Sequence, residues 1–433
     1  MNNIVFILLN IIAFPAFALV AYLFSNDKKV ARSGRNLKYL GIMAGVLLVL
    51  AVFMVAVPAG RDAVDAAAAG FTWVVNCSYK GIAFVLASSV PASMGEAIGG
   101  TAPGDSMTFV ISALMPILMV VPLFDILTYI GVLPFIIRWV GALIDLVTGK
   151  GKFESFYLVE MMFLGNTEAL AVSKLQVQRL SAIRNVTIAM MSMSCITASI
   201  LGAYMKMMPG HYILTAVPLN IISAAIVTSI LNPVPKLSDK EDFVVKVDED
   251  EKGNKVKRPP FFVYLGDSIL TAGRLILIIL ANVCAFVALA YFIDQMLSLT
   301  TLSWLSLENM LGVVLFPFAF LLGFPPDQAF HMAAFMGQKL VTNEFVVMGQ
   351  IGQSLTAVDA GSSQEYSQHF TAVLSVFLTS FANFSTLGMV TGVYKGLVGD
   401  ESNTAIAKAA PKMFLSGILV SLFAAAAAGL FVW

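Results

Sequence analysis

Long apolar runs separated by short polar or charged stretches recur along most of the chain, and several exceed the ~18 residues that cross a bilayer core as a helix. The first, Ile4 to Phe24, is followed directly by Lys28, Lys29, Arg32, Arg35 and Lys38. No basic segment precedes it and it is long for a signal-peptide core. It predicts a retained transmembrane helix with its N-terminus outside and the basic loop 25–38 inside. A second span is expected over about 39–58 and a third over about 109–133. Between them, 71–90 is apolar but interrupted by Asn76 and Lys80, which suits an interfacial or partly buried helix. The stretch 135–152 places Arg138, Asp145, Lys150 and Lys152 between apolar turns, the pattern of an amphipathic helix on the inner surface.

Residues 153–182 are too short for two spans and too polar for one, and basic residues predicted to lie inside flank both ends. A segment that enters and leaves by one face is a re-entrant hairpin, with "GNTE" (165–168) at its tip. Spans are predicted over about 186–205 and 211–231, then a charged cytoplasmic loop 232–260, then a long helix over about 266–297. Residues 305–350 read as a second hairpin, interrupted at "GFPPDQ" (323–328) and running to "TNEF". Helices over about 370–396 and 411–433 close the chain. The order hairpin, helix, helix thus occurs at 153–231 and again at 305–433, entered from opposite sides. That is an inverted-topology repeat, whose broken helices meet at a substrate site near the midplane. The fold class is an all-α polytopic membrane protein with about eight transmembrane helices and two re-entrant hairpins.

Composition agrees: of 433 residues, 58% are hydrophobic and 12% charged, with mean hydropathy +0.86. The formal net charge of zero offers nothing to a nucleic acid. Cys77, Cys195 and Cys284 are scattered through apolar segments, which fits neither a disulfide framework nor a metal site. No cofactor motif is present.

An ionisable residue at membrane depth marks a pathway or a site by default. Glu168 and Glu344 each sit in an Asn/Thr/Glu cluster on a hairpin. The plainer alternatives are an exposed loop carboxylate for Glu168 and a pair with Lys339 for Glu344. "FANFST" (381–386) brings Phe381, Asn383 and Thr386 within reach of one cavity, or serves only as glue between helices. Asp125 either pairs with Arg274 or is functional. Carboxylates and Asn side chains beside a phenylalanine suit a neutral polyhydroxylated ligand with a flat ring. No Arg cluster or Gly-rich loop speaks for an anion.

"FLGNTEALAV" (163–172), "SILGAY" (199–204), "QKLVTNEFVV" (338–347) and "FANFSTLGMVTG" (381–392) together resemble the concentrative nucleoside transporter family, the bacterial nucleoside permeases, in order over about 70–433. The resemblance implies a homotrimer in the plasma membrane (the bacterial inner membrane) that imports nucleosides with H+ or Na+. Scaffold helices would hold elevator-like transport domains. The domains then read as scaffold and interfacial helices at 1–152, the first transport repeat at 153–231 and a charged linker at 232–265. A long scaffold helix at 266–304 and the second transport repeat at 305–433 complete the chain. Carried over by position, Asn166, Thr167 and Glu168 would face the base and Ile200 would pack on it. Glu344, Asn383 and Thr386 would hold the ribose, and Phe381 would line the pocket.

The family has Gln where Asn166 stands and commonly Ser where Thr386 stands, which bears on base preference. Sodium-coupled members resemble one another in an Asn four residues before the hairpin Gly and a hydroxyl near the next helix break; here Met161 and Cys195 stand there. Sodium wants oxygen ligands, and thioether and thiol are soft. Proton coupling is therefore expected, with Glu168 or Glu344 as carrier, since desolvation disfavours a charged carboxylate. Sodium coupling, a same-fold carrier of another solute, and a membrane hydrolase using Glu168 and Glu344 are the alternatives. The last lacks metal-ligand spacing and any nucleophile–His arrangement, so no enzymatic activity is expected.

Overall fold

The computed structural model describes residues 3–86, 108–148, 152–165, 169–170, 173–234, 259–299 and 305–433, and among these there are helices and no strands. Six helical stretches are long and apolar enough to cross a membrane. They are α1 (Asn3–Leu23), α2 (Gly34–Ala51) with its continuing π turn to Ala56, the stretch Val110–Tyr129 that ends in α4 (Ile117–Tyr129), α10 (Gly210–Leu231), α11 (Phe261–Ser298) and α17 (Asp400–Gly429). Between α2 and α4 lies α3 (Pro58–Val85), with Pro58 at the first turn, where a missing N–H costs nothing.

The remaining helices fall into two matching series. The first runs α5 (Val132–Thr148), α6 (Lys152–Leu164), a break at Gly165, α7 (Lys174–Arg179), α8 (Ala182–Ser192), a break at 193–197, α9 (Ala198–Met207), then α10. The second runs α12 (Leu307–Leu321), α13 (Pro326–Val341), a break at Thr342–Asn343, α14 (Glu344–Asp359), α15 (Gln368–Leu378), a break at 379–383, α16 (Phe384–Leu397), then α17. Repetition of this order is the architecture that the inverted repeat expects.

Several expected boundaries differ. The single hairpin read over 305–350 is three helices: α12 and α13 pack antiparallel across the turn at 322–325, and the break carrying Glu344 comes one helix later. Gly323 takes φ +94 in that turn, with Phe6 and Trp433 against its Cα, so its breaking character serves the α12–α13 corner. The spans read over 186–205 and 370–396 are each two helices. Ser194 Oγ donates to the Met191 carbonyl and Thr379 Oγ1 to the Ser375 carbonyl, so hydroxyls add donors to the last-turn carbonyls at both breaks. The last helix starts at Asp400 rather than 411, because Pro411 is accommodated inside it. The third span stops at Tyr129, where Gly131 (φ +90) turns the chain into α5. Residues 235–258 of the expected charged linker lie outside the described residues.

α10 and α17 form the centre, with 89% and 78% of their most apolar windows buried inside the chain, whereas α11 has 6%. Most of α11 therefore faces away from its own chain, the rest lying against α4 and a cleft between the two series.

Candidate binding site

The two broken helices meet at their breaks. The Phe381 N–H, from the α15/α16 break, donates to the Cys195 carbonyl in the α8/α9 break at 3.2 Å. Gly165 (φ +82) presses on the same point: a Cβ there would overlap Thr197 Oγ1, so a glycine is required both for the turn and for the approach. Two interrupted helices and two hairpin breaks thus enclose one cleft of about 730 Å3 of empty space, part of it open to the outside.

Its polar wall belongs to the second series. Asn343 caps α14, its Oδ1 accepting from the Val346 N–H at 3.1 Å, which sets Glu344 at the first helical residue. An acidic residue there also meets the positive end of the helix dipole. Glu344 is 2% exposed. Its Oε1 accepts from Tyr204 Oη at 2.9 Å and its Oε2 from Asn383 Nδ2 at 3.1 Å. Asn383 in turn caps α16, its Oδ1 accepting from the Thr386 N–H (2.8 Å) and Thr386 Oγ1 (3.1 Å). A carboxylate offers about four acceptor sites and a primary amide two donors. Two acceptor sites of Glu344, one N–H of Asn383 and the lone pairs of Thr386 remain for a ligand, a set suited to vicinal hydroxyls.

The apolar wall carries Ile200 and Phe381, with Leu275, Ile278 and Ile279 of α11 opposite. Phe345 and Phe381 stand 5.0 and 6.4 Å, centroid to centroid, from the Tyr204 ring. Of the residues singled out in the sequence, Ile200, Glu344, Phe381, Asn383 and Thr386 come together here. Asn166, Thr167 and Glu168 lie outside the described residues, and their neighbours Leu164 and Gly165 line the cleft. Sequence reasoning missed Tyr204, a buried residue one helical turn after Ile200 that holds Glu344, and Asn282, which lines the cleft. A lone Asn in the apolar α11 was the signal for the latter.

Lys339 does not pair with Glu344. It is fully buried, and its Nζ donates to the Phe377 carbonyl at 2.6 Å and to Ser380 Oγ at 3.0 Å. Phe377 lies in the last turn of α15, so the ammonium caps a helix C-terminus. Asp125 accepts from Ser268 Oγ, and the expected partner Arg274 is exposed. Met161 and Cys195 are in contact, the thiol donating to the Met161 carbonyl at 3.1 Å. Both line a smaller cavity of about 260 Å3 with Met162, Met191, Ser194 and Asn220. Of its eleven described lining residues four carry sulfur, five are aliphatic, and Ser194 and Asn220 are the two with side-chain oxygens; Asn220 Oδ1 is buried without a partner.

Comparison with known proteins bears directly on this arrangement. Residues 212–429 match the family described as Na+ dependent nucleoside transporter C-terminus, and 12–89 match its N-terminus. The purine nucleoside transport protein NupG of Bacillus subtilis is 37% identical over 99% of this chain and 100% of its own. The nucleoside permease NupC of Helicobacter pylori is 26% identical, covering 98% of each. Among solved structures, CNTnw in an inward-facing substrate-bound state superposes with TM-score 0.85 at 24% identity, covering 98% of both chains. A variant of CNTnw in an outward-facing state gives TM-score 0.85 at 23% identity, covering 99% of both.

Proposed function

Because this chain belongs to the concentrative nucleoside transporter family, a family of transporters and not of enzymes, we propose that it imports nucleosides across the plasma membrane by proton symport. The observation that carries the substrate reading is the Glu344–Asn383–Thr386 constellation, oriented by Tyr204 and facing Ile200 and Phe381 across one cleft. Glu344, Asn383 and Thr386 hold the ribose hydroxyls, and Ile200 and Phe381 contact the base. Asn166, Thr167 and Glu168 complete the base end. The Bacillus relative is a purine nucleoside transport protein, so a purine nucleoside is the first substrate to try.

Alternating access proceeds by elevator movement of the hairpins and broken helices against α11. The outward-turned apolar surface of α11 supports its use as a scaffold, with a homotrimer as the assembly. Proton coupling is supported by the cavity at Met161 and Cys195, lined largely by sulfur and aliphatic groups and a poor host for a hard cation. Sodium is the second reading, favoured by the unpartnered Asn220 Oδ1 in that wall. Uptake of radiolabelled adenosine into proteoliposomes, under a pH gradient and then under a sodium gradient at equal pH, decides between them. Accumulation from the sodium gradient alone would overturn the proton reading, and failure to accumulate any nucleoside would overturn the transport reading.

A further inference from the structure

Three carboxyl groups are buried among the described residues: Glu154, Glu160 and Glu344. Two are accounted for. Glu154 is clamped by Arg184, Nε to Oε1 and Nη2 to Oε2 both at 2.7 Å. Glu344 faces the cleft. Glu160 does neither. It is 2% exposed on α6, forms no salt bridge among the described residues, and accepts one hydrogen bond, from Ser173 Oγ at 2.6 Å. Ser173 stands at the N-cap position of α7, yet its hydroxyl makes no capping bond. The hydroxyl that would ordinarily cap that helix is turned onto the carboxyl, tying the two arms of the first hairpin together.

The groups around this carboxyl leave its charge unopposed. On α6, Tyr157 is bonded to Ser192 Oγ at 3.1 Å, and the groups besides Glu160 that act on it electrostatically, Tyr394 of α16 and Cys195, bring no cation. Arg184 of α8 is committed to Glu154. Lys174 and Arg179 of α7 and Arg138 of α5 are exposed. Lys206 of α9 is bonded to Asn76. An ionised carboxylate held by a single neutral hydroxyl and removed from water is costly, and such a group takes up a proton instead. A protonated carboxyl keeps the Ser173 contact, because it can donate as well as accept.

We propose that Glu160 is the proton-coupling carboxyl of this transporter. It is protonated while the hairpin arms are closed on it and gives the proton to water on the side where movement of the hairpin exposes it. The proposal rests on the proton-symport reading and puts Glu160 in the place of Glu168 and Glu344 as the carrier. A proton adds to the carboxylate from water on the side where the hairpin is first open, stays on the carboxyl while the arms close on it, and returns to water on the other side when the hairpin opens there, with no other bond made or broken.

The test uses purified full-length protein in proteoliposomes. Wild type and Glu160→Gln are compared for adenosine accumulation under an imposed pH gradient and for adenosine exchange with none. Glu160→Gln is expected to lose accumulation, internal and external adenosine remaining equal, while exchange persists. Wild-type accumulation under the pH gradient with equal accumulation by Glu160→Gln overturns the assignment to Glu160 alone. Wild-type accumulation from sodium and not from protons overturns the symport reading, and this proposal with it. Should Glu160→Gln fail to fold, Glu160→Asp serves in infrared difference spectra recorded on adenosine addition. The protonated-carboxyl C=O band is expected to shift in frequency between wild type and Glu160→Asp, and an unmoved band overturns the assignment.

Discussion

Replacing Glu344 by glutamine exchanges one carboxylate oxygen for an amide nitrogen and leaves the volume nearly unchanged. The carboxylate now accepts from Tyr204 on one oxygen and from Asn383 on the other. Glutamine has one acceptor. If its oxygen faces Tyr204, its NH2 confronts the Asn383 NH2. The flipped rotamer keeps both internal contacts, its oxygen accepting from Asn383 and its NH2 donating to Tyr204 Oη, so the loss falls on the ligand: a charge-assisted bond to a ligand hydroxyl becomes a neutral one. Bonds to a charged group contribute about 1.5–3 kcal/mol, so affinity should fall about tenfold to a little over a hundredfold. Calorimetry of detergent-solubilised protein with adenosine and 3′-deoxyadenosine makes the test specific. If Glu344 holds the sugar hydroxyls, deleting the hydroxyl and deleting the charge are coupled losses, and the variant should discriminate far less between the two ligands. Strictly additive losses, or unchanged affinity for both ligands, would remove Glu344 from the ribose site.

Tyr204→Phe should weaken adenosine binding by about tenfold through loss of one bond to a charged acceptor, and unchanged calorimetric affinity would remove Tyr204 from the site. Arg184→Leu leaves Glu154 buried without its cation and should cost about 3–5 kcal/mol of stability, read as a lowered melting temperature in detergent that Glu154→Gln partly restores in the double variant. Lys339→Met should cost about 1–3 kcal/mol by leaving the Phe377 carbonyl without its donor, and Lys339→Arg should not restore it, because a planar fork does not replace a compact ammonium. In a background free of Cys77, Cys195 and Cys284, an impermeant thiol reagent applied to intact cells should label Lys206→Cys, which is only half-buried, and spare Val245→Cys; labelling of Val245→Cys from outside would overturn the inverted topology.

The apolar periodicity carried the helical membrane fold, and the polar clusters carried Glu344, Asn383 and Thr386, which come together in the cleft. Misplaced boundaries share one cause. Gly323, Pro325 and Pro326 are strong local breakers, so the chain reads as broken there, but they turn α12 onto α13. The break that carries Glu344 is made by Thr342 and Asn343, residues that pass as helical when neighbours are ignored. It is fixed by contacts distant in sequence, such as Asn383 on the Glu344 carboxylate. The interruptions at 193–197 and 379–383 are likewise stabilised by each other, through the Phe381 N–H on the Cys195 carbonyl. Tyr204 was legible from its spacing to Ile200. Lys339 was not, because the helix ends between it and Glu344, so nearness in sequence does not place them on one face.

The two halves resolve the same physical problem differently. A helix broken inside a bilayer leaves carbonyls that water does not reach, and each must find a donor within the protein. In the first half the donors are short: Ser194 to the Met191 carbonyl, the Cys195 thiol to the Met161 carbonyl and the Phe381 N–H to the Cys195 carbonyl. In the second half a full ammonium is brought in on α13, and Lys339 holds the end of α15 through the Phe377 carbonyl and Ser380. Charge is thereby concentrated where Glu344 also stands, while the first break is closed by sulfur and hydroxyl. The first half is not without charge, since Glu154 and Arg184 pair away from its break, and among the described residues it also carries Glu160, the one buried carboxyl that neither an arginine nor the cleft claims.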